Sequence, residues 1–245
     1  MNINEITIKT GALPLRAGLL VPSSNTVMEV DFYRSLPRHI TLHTARMYLE
    51  ETTRAAETRM IEEYAPRAAE LVKTARPHFM IFGCTSAGSL GGPAYDQEIC
   101  SRLSEITEVP TIGVFSSVRE ALLRSGAKSV AVITPYIDDI NASIQLSLEK
   151  DGFKVVAIHG LGIDVNFDLA VPSPEEIVRF IVETLEGVRP DIIFISCTNF
   201  RAMEALPMLR EQFESPIITS NTATLEAVLA MEKRILKGGL WKKGK

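Results

Sequence analysis

Two segments of the chain, G-C-T-S at 83–86 and S-C-T-N at 196–199, set a cysteine and a threonine at the end of an apolar run, HFMIFG in one case and DIIFIS in the other. Short apolar runs of this kind read as buried parallel strands, and in open α/β sheets ligands sit beyond the carboxyl ends of the strands. Cys84 and Cys197 are therefore the leading candidates for chemistry. Each is followed by Thr and a small polar residue where a helix is expected to begin, and a thiol at a helix N-terminus has a lowered pKa and a larger thiolate fraction. A lone cysteine at a strand end is more often a space-filler, since free Cys is among the most buried residue types. A pair at equivalent positions favours the functional reading. The third cysteine, Cys100, falls mid-helix beside Ile99 and Leu103 and reads as core. An odd number of widely spaced cysteines fits neither a disulfide framework nor a zinc pattern, so reduced thiols are expected.

Other polar turns close the candidate strands. The first strand runs into V-P-S-S-N-T at 21–26, where Ser23, Ser24, Asn25 and Thr26 supply hydroxyl, amide and backbone N–H groups. Such a nest suits a carboxylate, and the same residues are equally suited to capping a helix. In the second half the matching turn holds Thr134, Pro135 and Tyr136, whose phenol is placed to donate to a developing enolate oxygen or simply to pack at a turn. Asn166, in a loop with Gly162, Asp164 and Asp168, is a candidate ligand for a second carboxylate. The junctions 113–117 and 218–222 are further polar strand-to-helix turns. His39, His43, His78 and His159 are scattered within or beside strands and lack metal-ligand spacing, and neither a phosphate loop nor a dinucleotide fingerprint is present.

The elements that must position these groups alternate. Strands are expected over 15–21, 40–47, 78–83, 111–114, 129–134, 154–159, 191–196 and 216–219. Helices are expected over 55–74, 95–106, 118–125, 140–150, 174–186, 203–213 and 223–236, with Gly126, Gly152 and Gly187 at C-terminal caps. That rhythm means βα units and mainly parallel sheets. RPHFMIFGCTS at 76–86 aligns without gaps on RPDIIFISCTN at 189–199, an offset of 113 residues, and the same offset carries Pro22 onto Pro135. The fold class is therefore α/β with two pseudosymmetric lobes, each a mainly four-stranded parallel sheet flanked by helices. Residues 1–116 are assigned to the first lobe and 117–219 to the second, with the boundary near 115–117. A C-terminal helical segment, 220–245, is expected to pack back on the first lobe.

The chain has 245 residues, ample for such an arrangement without staples. Its 26 basic and 30 acidic residues give a net charge of -4, which excludes an electrostatic case for nucleic acid as partner. The basic tail of Lys237, Lys242, Lys243 and Lys245 reads as a solvated terminus. No run reaches the ~18 to 20 apolar residues of a membrane span, and the first fourteen residues lack a signal-peptide core, so no membrane partner and a cytoplasmic location are expected.

These residues resemble the aspartate/glutamate racemase superfamily and, within it, the maleate cis-trans isomerase branch. The twin Cys-Thr motifs carry the superfamily; S-S-N-T at 23–26 and T-P-Y at 134–136 carry the branch. The resemblance implies a cofactor-independent enzyme acting on a small carboxylic acid held between the lobes, in a homodimer. It implies Cys84 as the thiolate that adds to an alkene carbon of maleate and Cys197 as proton donor and acceptor at the neighbouring carbon. Ser24, Asn25, Thr85, Ser86, Asn166 and Thr198 would bind substrate, and Tyr136 would hydrogen-bond the enolate. Glutamate racemases carry an Asp-Ser motif that 21–25 lacks, which disfavours an amino acid. Arylmalonate decarboxylases have glycine at the first cysteine position, so Cys84 argues against decarboxylation. Racemisation or epimerisation of an α-substituted acid by the same two thiols is the alternative, and a non-catalytic carboxylate-binding module is a third reading.

Overall fold

A computed structural model describes residues 14–238. The first thirteen residues and Lys242, Lys243 and Lys245, for which expectations were stated, lie outside the described residues. Among the described residues, eight parallel strands form two four-stranded sheets of identical order. The first contains β1 (Leu15–Pro22), β2 (Ile40–Met47), β3 (Phe79–Phe82) and β4 (Thr111–Gly113), arranged β2-β1-β3-β4. The second contains β5 (Ser129–Tyr136), β6 (Lys154–Ile163), β7 (Ile192–Ile195) and β8 (Ile217–Thr219), arranged β6-β5-β7-β8. The central strands β3 and β7 are buried along their whole length, which is why they read as uninterrupted apolar runs.

In the first half, α1 (Met28–Ser35) follows β1, and α4 (Thr85–Ser89) and α5 (Tyr95–Thr107) follow β3. The helix expected over 55–74 is continuous but not uniform. It runs as α2 (Arg54–Arg59), a π turn (Met60–Tyr64) and α3 (Ala65–Lys73). The Ala65 N–H reaches back to the Met60 carbonyl, and Pro66, which has no N–H to give, follows directly. A widened turn is how the helix passes a proline that would otherwise clash with the preceding turn.

Each lobe lends its last helix to the other. α6 (Val114–Ser125), which follows β4, buries Phe115, Val118, Ala121 and Leu122 in the core of the second sheet. α10 (Ser220–Lys237), which follows β8, buries Leu225, Val228, Met231 and Ile235 in the core of the first. A fully buried side chain of this size contributes roughly 1.5–3 kcal/mol, so this exchange of helices fixes the lobes against each other. Both helices start earlier than the apolar periodicity indicates. Asp96 accepts a 2.7 Å bond from the Ser116 N–H at the head of α6, and Thr219 and Thr222 form a reciprocal capping box at the head of α10. Gly113 is obligatory beside that first cap, since a Cβ there would lie 1.9 Å from Asp96 Oδ2.

The rest of the second half supplies α7 (Asp138–Lys150), α8 (Pro174–Thr184) and α9 (Ala202–Gln212). Gly126, Gly152 and Gly187 all have positive φ, as their expected capping positions require. The loops after β2 and β6 also meet. Glu51 bridges Val165, the Asn166 N–H donates to the Glu50 carbonyl at 2.7 Å, and the Thr52 N–H donates to the Asp164 carbonyl at 2.6 Å.

Candidate active site

The polar residues singled out at the strand ends converge where the two sheets face each other. Asn25, past β1, donates from Nδ2 to Thr198 Oγ1 of the other half at 3.0 Å, and Thr198 Oγ1 donates to the Gly83 carbonyl at 3.1 Å. Thr85 Oγ1 donates to Ser220 Oγ at 2.9 Å, and the same Ser220 oxygen accepts the Cys197 N–H at 3.0 Å. Asn166 Nδ2 donates to Ser24 Oγ at 2.7 Å, while its Oδ1 accepts from Thr52. Both readings of the first turn are realised in part, since Asn25 Oδ1 accepts the Val27 and Met28 N–H groups and so starts α1.

Both cysteines are buried, and neither is in a disulfide. Cys84 is the residue before α4, as expected, with its sulfur 3.6 Å from Ser86 Oγ. Cys197 departs from expectation. The helix after it starts only at Ala202, and Cys197 itself has φ 105°, a left-handed conformation that costs a non-glycine residue of order 1–3 kcal/mol. Two bonds hold it there: its N–H to Ser220, and the Asn199 N–H to its sulfur at 3.2 Å.

The thiol pKa values move opposite to the expectation from helix dipoles. Burial pushes the Cys197 thiol up to about 12, although the Tyr136 hydroxyl and the Asn199 N–H pull it down. Burial, with a smaller push from Glu57, raises Cys84 further still, against the Ala87 N–H and the Ser86 hydroxyl. A helix terminus offers a charge about 0.3–1 kcal/mol, whereas stripping water from a thiolate costs more. Desolvation wins. Tyr136 is likewise buried, and its own pKa is raised by desolvation first and by both sulfurs next.

One ionisable group was not singled out in the sequence. Glu57, in α2, is fully buried and accepts a hydrogen bond at Oε1 from the Ser86 hydroxyl. Burial lifts its pKa from 4.5 to about 8. The signal lay in the helical pattern, because Glu57 precedes Met60 and Ile61 by three and four residues and so falls on the apolar face. His43 lies elsewhere, bonded to Thr41 along β2. Cys100 is a buried core residue of α5, and among the described residues no cluster of His, Cys, Asp and Glu could hold a metal. None of the described helices is long and apolar enough to cross a membrane.

Two parallel α/β sheets that exchange helices and each deliver a buried cysteine to the shared face define a two-thiol, two-lobed class of protein. A family model for arylmalonate decarboxylase matches residues 17–236, and the chain belongs to that family. Relatives within it divide by activity. A maleate isomerase from Geobacillus stearothermophilus is 25% identical over 228 residues, covering 87% of this chain and 90% of its own length. An arylmalonate decarboxylase from Bordetella bronchiseptica is 24% identical over 207 residues, covering 84% and 85%. The solved maleate isomerase Iso from Pseudomonas putida S16 superposes with a TM-score of 0.83 at 26% identity, over 89% of this chain and 93% of that one. A cysteine-to-serine variant of Nocardia farcinica maleate cis-trans isomerase, solved with a covalently bound succinylcysteine intermediate, shares the fold at 20% identity and a TM-score of 0.80, over 88% and 91%. The resemblance carried by the twin Cys-Thr motifs therefore stands.

Proposed function

We propose that this protein is a cis-trans isomerase of a small unsaturated dicarboxylate, converting maleate to fumarate by addition of Cys84, rotation and elimination. The observation that carries the reading is the presence of both thiols at one buried face, each with its own hydrogen-bonding partner. The maleate isomerase relatives and the succinylcysteine seen in one of them support it. The Cys84 sulfur forms a bond to one alkene carbon, and the electron pair moves toward the adjacent carboxylate. Cys197 protonates the neighbouring carbon and becomes a thiolate, for which the Tyr136 hydroxyl and the Asn199 N–H are ready donors. The former double bond is now single and turns. Cys197 then removes the proton, the C–S bond breaks, and the trans alkene leaves. Covalent addition replaces one prohibitive rotation with two accessible steps.

Substrate carboxylates take up the amides of Asn25 and Asn166 and the hydroxyls of Ser24, Thr85 and Thr198, where Asn25 is paired with Thr198, Asn166 with Ser24 and Thr85 with Ser220. Mixing the protein with maleate and following fumarate tests the proposal. Turnover with a succinyl adduct on the Cys84 peptide is expected. No turnover, together with exchange of an α-proton for deuterium in a different acid, refutes it in favour of racemisation.

A further inference from the structure

The mechanism so far leaves the Cys84 proton without a destination. We propose that Glu57, acting through the Ser86 hydroxyl, is the acceptor of the Cys84 proton, so that Cys84, Ser86 and Glu57 form a relay that generates the nucleophile. The geometry points to it in three ways. Ser86 has one proton, and it is given to Glu57 Oε1, which leaves the Ser86 oxygen lone pairs toward the Cys84 sulfur at 3.6 Å. A proton leaving sulfur therefore passes to Ser86 Oγ while the Ser86 proton passes to Glu57. The thiol becomes a thiolate, the carboxylate becomes a carboxylic acid, and the serine is unchanged. Elimination of the product reverses the transfer.

Second, Glu57 lacks the partners of a structural carboxylate. Its other oxygen, Oε2, is buried without a hydrogen bond, whereas buried polar atoms kept only for structure are normally satisfied. The nearest cation, Arg54 on the same helix, is engaged elsewhere, with the Leu90 carbonyl at 3.2 Å and Ser143 Oγ at 2.6 Å. Third, the burial that holds Glu57 far from its usual range makes its carboxylate a strong base for its type, suited to a thiol that burial also discourages from ionising. The charged and titratable groups facing Glu57 are Arg54, which favours its anion, Asp139 of α7, which disfavours it, Cys84 in the same half, and Cys197 and Tyr136 of the second half.

Glu57 touches no reacting atom and is a positioning residue in this scheme. The inference rests on Cys84 being the nucleophile, so its test uses no substrate. The rate of Cys84 alkylation by iodoacetamide, read by mass spectrometry of the Cys84 peptide, is measured against pH for the wild type, Glu57→Gln and Ser86→Ala. The wild-type rate is expected to rise roughly fifty-fold between about pH 6 and 8 and then to level off, following ionisation of Glu57. Both variants lose that inflection and react at least about tenfold more slowly at pH 8. Ser86→Ala leaves Glu57 in place, so a folding defect in Glu57→Gln does not decide the matter. A wild-type profile without an inflection near 8, variants that keep the inflection, or no alkylation at any pH overturns the relay. A chain that shows the inflection yet leaves maleate untouched upholds the relay and refutes only the substrate assignment.

Discussion

Glu57→Gln exchanges a wholly buried carboxyl for an uncharged group of the same shape, and its largest consequence is on stability. Burial raises the Glu57 pKa from 4.5 to about 8, with the Ser86 hydroxyl opposing the rise. Between those values the folded chain holds a proton that the unfolded chain has released. Stability therefore falls as pH rises: the Glu57 contribution is complete below about pH 4.5 and gone once pH passes about 8. At about 1.36 kcal/mol per pH unit the loss is on the order of 5 kcal/mol, a large part of the ~5–15 kcal/mol that holds a domain folded. Asp31 and Asp96 move in the same sense, each by burial from 3.8 to about 6, so their share is lost at lower pH and the window from about 6 to 8 belongs to Glu57. Urea unfolding at intervals from about pH 5 to 9 reads this directly. The variant should match the wild type near pH 5, where Ser86 still has an amide oxygen to donate to, exceed it increasingly up to about pH 8, and hold a constant margin beyond. Parallel curves for the two proteins would refute the assignment of a raised Glu57 pKa.

Cys84→Ser and Cys197→Ser should each lower kcat for fumarate formation by at least roughly a thousand-fold, with circular dichroism unchanged; activity surviving either change would remove the two-thiol mechanism. Tyr136→Phe keeps the buried ring and deletes the donor to Cys197, so kcat should fall about 10²–10³-fold with little change in unfolding midpoint. Asn25→Ala removes the tie to Thr198 and the bonds that begin α1, and should cost ~1–2 kcal/mol in urea unfolding while also raising KM. Asp96→Ala strips the cap from α6, leaves the half-buried Ser116 N–H unpaired, and should destabilise by about 1–2 kcal/mol in urea unfolding.

Strand positions were legible because a parallel strand covered on both faces has to be apolar at every position, as in β3 and β7. The twin motifs added the symmetry, since copies of one unit repeat their strand ends as well as their strands. What escaped detection was set by tertiary contact. α6 begins at Val114 because Asp96, from the preceding helix, caps it, and no local pattern around Val114 announces that. The turn at Cys197 was hidden because a cysteine at φ 105° is tolerated only through its bonds to Ser220 and Asn199. Both thiol pKa values were misjudged in direction because the dipole is a local property and burial is not. Glu57 was visible as a charge on an apolar face, yet only the fold brings Ser86 to it.

In the proposed cycle the two thiols at the shared buried face do different work, and the repeat shows what differs between them. The residues two places after each cysteine, Ser86 and Asn199, occupy equivalent positions in the repeat, and each contacts the sulfur before it. They do so with different groups. Ser86 offers a hydroxyl that can accept a proton from sulfur and pass one on to Glu57, whereas Asn199 offers a backbone N–H, which can only steady a thiolate. Tyr136 adds a second donor on the Cys197 side. In the proposed cycle one sulfur loses its proton before attack, and the other keeps its proton until the neighbouring carbon needs it and then rests as an anion. An addition–elimination cycle requires that asymmetry, and two identical copies could not have supplied it. Exchanging the two positions, by Ser86→Asn in one protein and Asn199→Ser in another, separates the roles: the first should abolish the pH dependence of Cys84 alkylation, and the second should leave it intact.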